Sequence, residues 1–348
     1  MSVVQRIGVV VAMGAIGCGG TTTSALENGP PEVFTDAGSA MAPPSMAPAP
    51  INFGDASVVR PPVPSGPPGV VTFNDAAASV NPNADYSVTL AMTPFTVPAG
   101  GEVFKCQDFA NPFQGQAVDI TQYDLVMSSG SHHMLLFYAP GASDGPVTDC
   151  GGLQLSPFTF GSQSPMATEK YPDGVGAAIP AGMGFSFNSH FINSSASAIV
   201  ANVKVTMYVA RPGVVTQHAG SLMFVLMSIS IPPTGQPATV SGSCNVSQDM
   251  NLISTGAHMH QRATHFVATS GNTTLYQTDV WSDPPMMPYS PPLLLKANST
   301  VDWSCTYVND TGSTLSFGQS AVTNAMCNFN ARFYPVRDVS NPLVQCLQ

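Results

Sequence analysis

Asn202-Val203-Lys204-Val205-Thr206-Met207-Tyr208-Val209 is the stretch that decides the fold class. Apolar Val203, Val205, Met207 and Val209 alternate with Asn202, Lys204, Thr206 and Tyr208, so a pleated chain buries one set and exposes the other. Met134-Leu135-Leu136-Phe137 and Leu222-Met223-Phe224-Val225-Leu226 are unbroken apolar runs, which predict more fully buried strands. No window sustains an apolar period of 3.6 residues. With 31 glycines and 32 prolines, turns are frequent and long helices disfavoured. The body is therefore predicted to be all-β.

A weak internal repeat divides this body in two. Val97-Pro98-Ala99-Gly100 precedes a predicted strand ending at Cys106, and Ile231-Pro232-Pro233-Thr234-Gly235 precedes one ending at Cys244; histidines follow in both cases. Arg211-Pro212-Gly213 ends a strand, which places the boundary there and gives domains 70–212 and 213–348. Upstream, Arg6 leads into the apolar run Ile7 to Ile16, too short to span a bilayer. Residues 1–17 read as a signal peptide. Ala15-Ile16-Gly17-Cys18 resembles a bacterial lipobox with Cys18 as the lipidated residue, and Gly19, where Asp is absent, resembles outer-membrane sorting. Residues 18–69 are rich in Pro, Ala, Gly and Ser and bury too little apolar surface to fold, so a disordered tether is expected. The expected location is outside the cytoplasm, with the lipid as the only membrane attachment, on the periplasmic or cell-surface side of the outer membrane.

Charged residues make up only 9% of the chain and the net charge is −10, which argues against nucleic acid as a partner. Setting Cys18 aside leaves Cys106, Cys150, Cys244, Cys305, Cys327 and Cys346. An even number in an exported chain suggests disulfides, with 15 possible pairings.

Five of the seven histidines fall in suggestive places. His258 and His260 form H-x-H, and residues i and i+2 of a strand project to the same face. His132 and His133 are adjacent, so ligation of one ion by both needs a bulge, a strand end or a twist. His190 lies on a separate apolar segment and can complete a three-histidine site. His218 and His265 have no partner spacing and are read as non-ligands. There is no H-E-x-x-H and no carboxylate beside either histidine motif, which argues against a zinc hydrolase with a Glu base. Imidazoles suit copper or zinc, and a thioether would select copper. Seventeen methionines leave that choice open on composition alone.

The motifs carry a resemblance. Ser131-His132-His133-Met134-Leu135-Leu136-Phe137 resembles the H-H-M-x-x-F signature of the copper type II, ascorbate-dependent monooxygenases, which include the peptidylglycine α-hydroxylating and dopamine β-monooxygenases. His258-Met259-His260 resembles the family's H-T-H element, and Asn324-Ala325-Met326-Cys327-Asn328 its E-M-C-N element. Phe187-Asn188-Ser189-His190-Phe191 resembles the segment bearing its third histidine. The ordered set covers about Pro98 to Pro335.

This resemblance implies two tandem jelly-roll β-sandwich domains, each holding one of two copper ions across a solvent-filled cleft. It implies that His132, His133 and His190 hold an electron-transfer copper. His258, His260 and Met326 would then hold the catalytic, oxygen-activating copper. Dioxygen and a reductant such as ascorbate would serve hydroxylation of a C–H bond in a small molecule or peptide. It also implies the pairings Cys106–Cys150, Cys244–Cys346 and Cys305–Cys327. Where peptide-amidating members carry an Arg and a Tyr, this chain has Gly256 and Asn330. Lacking a guanidinium to clasp a carboxylate, it is expected to use peptides ending in glycine poorly. A reading from another class is a copper-binding lipoprotein that scavenges or senses copper without turnover.

Overall fold

A computed structural model of the protein describes residues 70–151 and 157–348. The signal peptide, Cys18 and the tether lie outside the described residues. Within them the chain is all-β, with one short 3-10 helix, Asp75–Ser79, capped by the Asn74 side chain.

The deciding stretch forms the strand Val203–Ala210, between Ala84–Ala91 and Val118–Met127 in a seven-stranded sheet. Val203, Val205, Met207 and Val209 are buried, as their spacing predicts. Tyr208 departs from the polar face: it is buried too, because it packs on Ala77 and Ala84 and its hydroxyl donates to Asp124 at 2.8 Å.

That sheet packs on a five-stranded one in which Glu102–Phe109, Met183–Ile192 and Ser131–Pro140 are neighbours. Their shared core includes Leu90, Val205, Tyr123, Leu136, Phe185 and Phe187. A second sandwich follows. Its five-stranded sheet runs Met287–Leu295, Met250–Met259, Cys327–Tyr334, Gly220–Val225, Leu343–Leu347; its four-stranded sheet runs Pro237–Asn245, Thr300–Val308, Ala263–Ser270, Thr273–Thr278. Trp303, Tyr307, Phe266, Phe224 and Phe329 lie in the core between them. Gln217–His218 still pairs with Val175–Ile179 of the first sandwich, so the chain crosses over at Ala219–Gly220, past Pro212.

The continuous apolar runs now have a reason. Met134 and Leu136 face the first core, while Leu135 and Phe137 face a cavity on the opposite side of the sheet. Leu222 and Phe224 belong to the second core, and Met223 and Val225 line the same cavity from the other side. Both faces of each strand are covered, so neither shows alternation.

All three disulfides join the expected cysteines, with Cα–Cα distances of 5.6 Å for Cys106–Cys150, 6.4 Å for Cys244–Cys346 and 5.9 Å for Cys305–Cys327. Three bridges within one chain fit a protein folded in an oxidising compartment.

Candidate metal centre

The adjacent histidines reach one face through a bulge. His190 of Met183–Ile192 pairs with His133, and Phe191 pairs with Ser131, which leaves His132 as the extra residue. A bulge re-aims a side chain that alternation would send into the core. His132, His133 and His190 consequently converge, with ring centroids 4.9 to 5.1 Å apart.

In the second sandwich Met259 is buried in the core, so His258 and His260 face outward. Met326 follows the same rule from the neighbouring strand. Cys327, Phe329 and Phe333 point into the core, and Met326, Asn328, Asn330 and Arg332 point away from it into the cavity. The Cys305–Cys327 bridge anchors the residue after Met326. The Tyr307 hydroxyl donates to the Met326 carbonyl and accepts from the His260 backbone N–H at 3.4 Å. One phenol thus ties two of the predicted ligand residues together.

The two groups do not face each other across a solvent-filled cleft. His132 lies 5.2 Å from His258 and 5.8 Å from His260, and His133 lies 5.2 Å from His258, all between ring centroids. All five imidazoles form one cluster. His132, His133 and His258 offer ligand nitrogens within 4.8 Å of one another, a set drawn from both sandwiches. The motifs name residues but carry no information about how closely two sheets pack, and here their outer faces meet.

Two of the five rings, His190 and His260, have one nitrogen hydrogen-bonded and the other buried without a partner. His190 Nε2 donates to the Glu102 carboxylate at 2.8 Å, and Nδ1 is buried without a partner. His260 Nδ1 donates to the Asn324 carbonyl at 3.3 Å, and Nε2 is buried without a partner. His258 Nδ1 donates to Gln163 Oε1 at 2.8 Å. Nε2 of His132 and Nδ1 of His133 also lack partners. A buried, bare imidazole nitrogen is costly unless something occupies it, and fixing the proton on one ring nitrogen presents the lone pair of the other. Such a donor set fits a bound metal.

Electrostatics agree. Desolvation, followed by neighbouring imidazoles, pushes His132, His133 and His258 well below the ordinary histidine range. His260 is pushed down to about 4, mainly by burial. His190 is lowered by burial, opposed by Glu102. All five are neutral near pH 7, the form that ligates. For Glu102, burial acts to raise the pKa. Hydrogen bonds from His190, Ser320 and the Ala321 N–H outweigh it and hold the group at about 2.

Glu102 also corrects the expectation that no carboxylate stands near the histidines. It lies 30 residues before His132 and arrives because Glu102–Phe109 pairs with Met183–Ile192, His190 opposite Phe104. Phe104 stacks on His190 at 3.9 Å. Gln163 and Tyr307 were likewise invisible in the sequence, since no local pattern announces a partner set by cross-strand register. His218 and His265 sit outside the cluster, each paired with its own carboxylate, Asp119 at 2.9 Å and Asp279 at 2.6 Å.

No protein-family model and no curated protein matches the chain. Among solved structures, the cryo-EM structure of Broad Bean Stain Virus aligns at 8% identity, covering 72% of this chain and 94% of that one, with a TM-score of 0.29. The vicilin of hazelnut, Corylus avellana, aligns at 9% identity over 74% of this chain and 85% of its own, with a TM-score of 0.14. The vicilin of Solanum melongena aligns at 7% identity over 78% and 84%, with a TM-score of 0.15. Likenesses at these TM-scores carry no argument for fold or function.

Proposed function

We propose that the protein is a copper-dependent monooxygenase that hydroxylates a C–H bond of a small molecule or peptide, with dioxygen and a one-electron reductant such as ascorbate. The observation that carries this reading is the cluster of five neutral imidazoles, four of them with a bare buried nitrogen, beside an apolar cavity that Met326 also borders. His132, His133 and His190 would hold one copper; His258, His260 and Met326 would hold the other. A thioether among imidazoles favours copper over zinc. Bound copper would supply one-electron transfer and dioxygen activation.

The chain's own residues prepare the site. Gln163 and the Asn324 carbonyl keep protons on Nδ1 of His258 and His260, and Glu102 keeps one on Nε2 of His190. Leu135, Phe137 and Phe158 keep the adjoining cavity apolar. Export with lipidation at Cys18 belongs to the same proposal; the disulfides support its export part. Mass spectrometry of the mature N-terminus tests it.

The mixed group His132, His133 and His258 favours a second reading, copper binding without turnover, in which one ion sits between the sandwiches. Copper stoichiometry, read with ascorbate-dependent oxygen consumption in the presence of a chelator for free copper, separates the two. Two ions and oxygen consumption support the enzyme. One ion and no consumption would sink it in favour of storage or sensing.

A further inference from the structure

The cavity beside the histidines has a volume of about 140 Å³ and lies between the outer faces of the two sandwiches. An apolar cavity of about 150 Å³ accommodates a benzene ring. Leu135, Phe137 and Phe158 form one wall and Met223, Val225 and Met286 the other. A Cβ on Gly256 would lie 2.4 Å from the Met286 sulfur, so the thioether occupies the space a longer residue there would take. This wall therefore offers no charge.

The far end is neutral as well. Arg332 donates from Nε to Glu169 at 2.8 Å and from another guanidinium nitrogen to Ser221, and it lies 4.8 Å over the Phe158 ring. Its charge is already matched by the partly buried carboxylate of Glu169, and a ligand anion would have to compete with Glu169 for it.

Besides the histidine nitrogens, two buried carboxamide oxygens of this lining are unmatched. Asn328 and Asn330 project to the same face of Cys327–Tyr334, and the Oδ1 of each is buried with no partner. Asn328 pairs in register with His258, and Asn330 with Gly256. Two residues of strand place Asn330 about 7 Å further from the histidines. A buried carboxamide oxygen accepts a hydrogen bond and gains most from a ligand that donates one.

We propose that this cavity binds an uncharged, ring-sized apolar molecule bearing a hydroxyl or amide N–H, which donates its one hydrogen to the carboxamide oxygen of Asn330 while its apolar part lies against Leu135 and Phe137. The proposal deepens the monooxygenase reading by naming a substrate class, although binding itself requires no turnover.

The test uses the full-length protein without reductant, both copper-loaded and after chelation, titrated by calorimetry with benzyl alcohol, its near-isostere ethylbenzene, and benzoate. Benzyl alcohol is expected to bind about tenfold more tightly than ethylbenzene, the ratio an ordinary hydrogen bond supports. Benzoate is expected to bind most weakly. Asn330→Leu is expected to bring the alcohol down to the affinity of ethylbenzene. Should that variant fail to fold, Asn330→Ala removes the carboxamide without adding bulk, and the ranking on the parent protein stands by itself. Equal binding of alcohol and ethylbenzene, saturation by none of the three, or an unchanged alcohol preference in Asn330→Leu would overturn the proposal. Tightest binding by benzoate would also overturn it and make Arg332 an anion site. Oxygen consumption is read separately, so loss of the enzyme reading and loss of this one give different results.

Discussion

The two histidine groups are built on different supports. His132, His133 and His190 project from within two paired strands, aimed by a bulge and backed by a carboxylate, Glu102. His258, His260 and Met326 sit at strand ends, and neutral groups hold them: the Gln163 amide, the Asn324 carbonyl, the Tyr307 hydroxyl and the Cys305–Cys327 bridge. Two of these supports cross between the sandwiches. Gln163 of the first reaches His258 of the second, and Glu102 accepts from Ser320 and Ala321, in the loop leading to Met326. The difference teaches that each half of the centre is completed by the other, so changes in one half are expected to register in both.

The sharpest way to break this comparison is Met326→Ile, which keeps apolar bulk and removes the sulfur. Ascorbate-dependent oxygen consumption is expected to fall by at least about a hundredfold, and bound copper to fall from two ions to one. Parent-like turnover would remove Met326 from the ligand set.

Replacing Cys305 and Cys327 together by Ala loosens only the second group's support. A bridge closing a loop of this kind contributes about 3 kcal/mol, so the urea midpoint is expected to drop accordingly. Oxygen consumption should fall beyond what the unfolded fraction explains.

Acid probes the cluster as a whole. Its histidines have folded-state pKa values below the ordinary 6.5, so at lower pH the unfolded chain binds more protons than the folded one. Stability of the metal-free protein is therefore full above about pH 6.5 and lost as pH falls toward 4. For His260, whose value is about 4, the loss is on the order of 3 kcal/mol. Chemical denaturation at pH 7.5 and 4.5 measures it; equal stability at both would mean the rings are not held neutral.

Glu102→Gln keeps an oxygen for His190 but removes the charge. Copper affinity at the first group is expected to weaken about 10- to 100-fold, and the copper spectrum of the second group should shift through the Ser320–Ala321 contact. A spectrum altered at neither group would deny the crossing support. The smallest effect belongs to Tyr307→Phe, which leaves the Met326 carbonyl without its donor. A loss of about 1 to 2 kcal/mol is expected in thermal unfolding, with copper still bound.

Much was legible in the residues alone. The alternation through Val203–Val209 and the apolar runs announced an all-β body, because a strand's period of two is written locally. H-x-H placed His258 and His260 on one face for the same reason, and the adjacency of His132 and His133 demanded the bulge that is found. Other features are not local. Glu102 reaches His190 through the pairing of strands distant in sequence, and Gln163 reaches His258 across two sheets. The merging of two histidine groups into one cluster depends on how closely the outer faces of the sandwiches approach. Sequence determined which side chains leave each core and in which direction, since that follows from backbone geometry within a few residues. Only the tertiary structure decided which of them meet, because packing between sheets is set by the summed shape of many side chains and by no single motif.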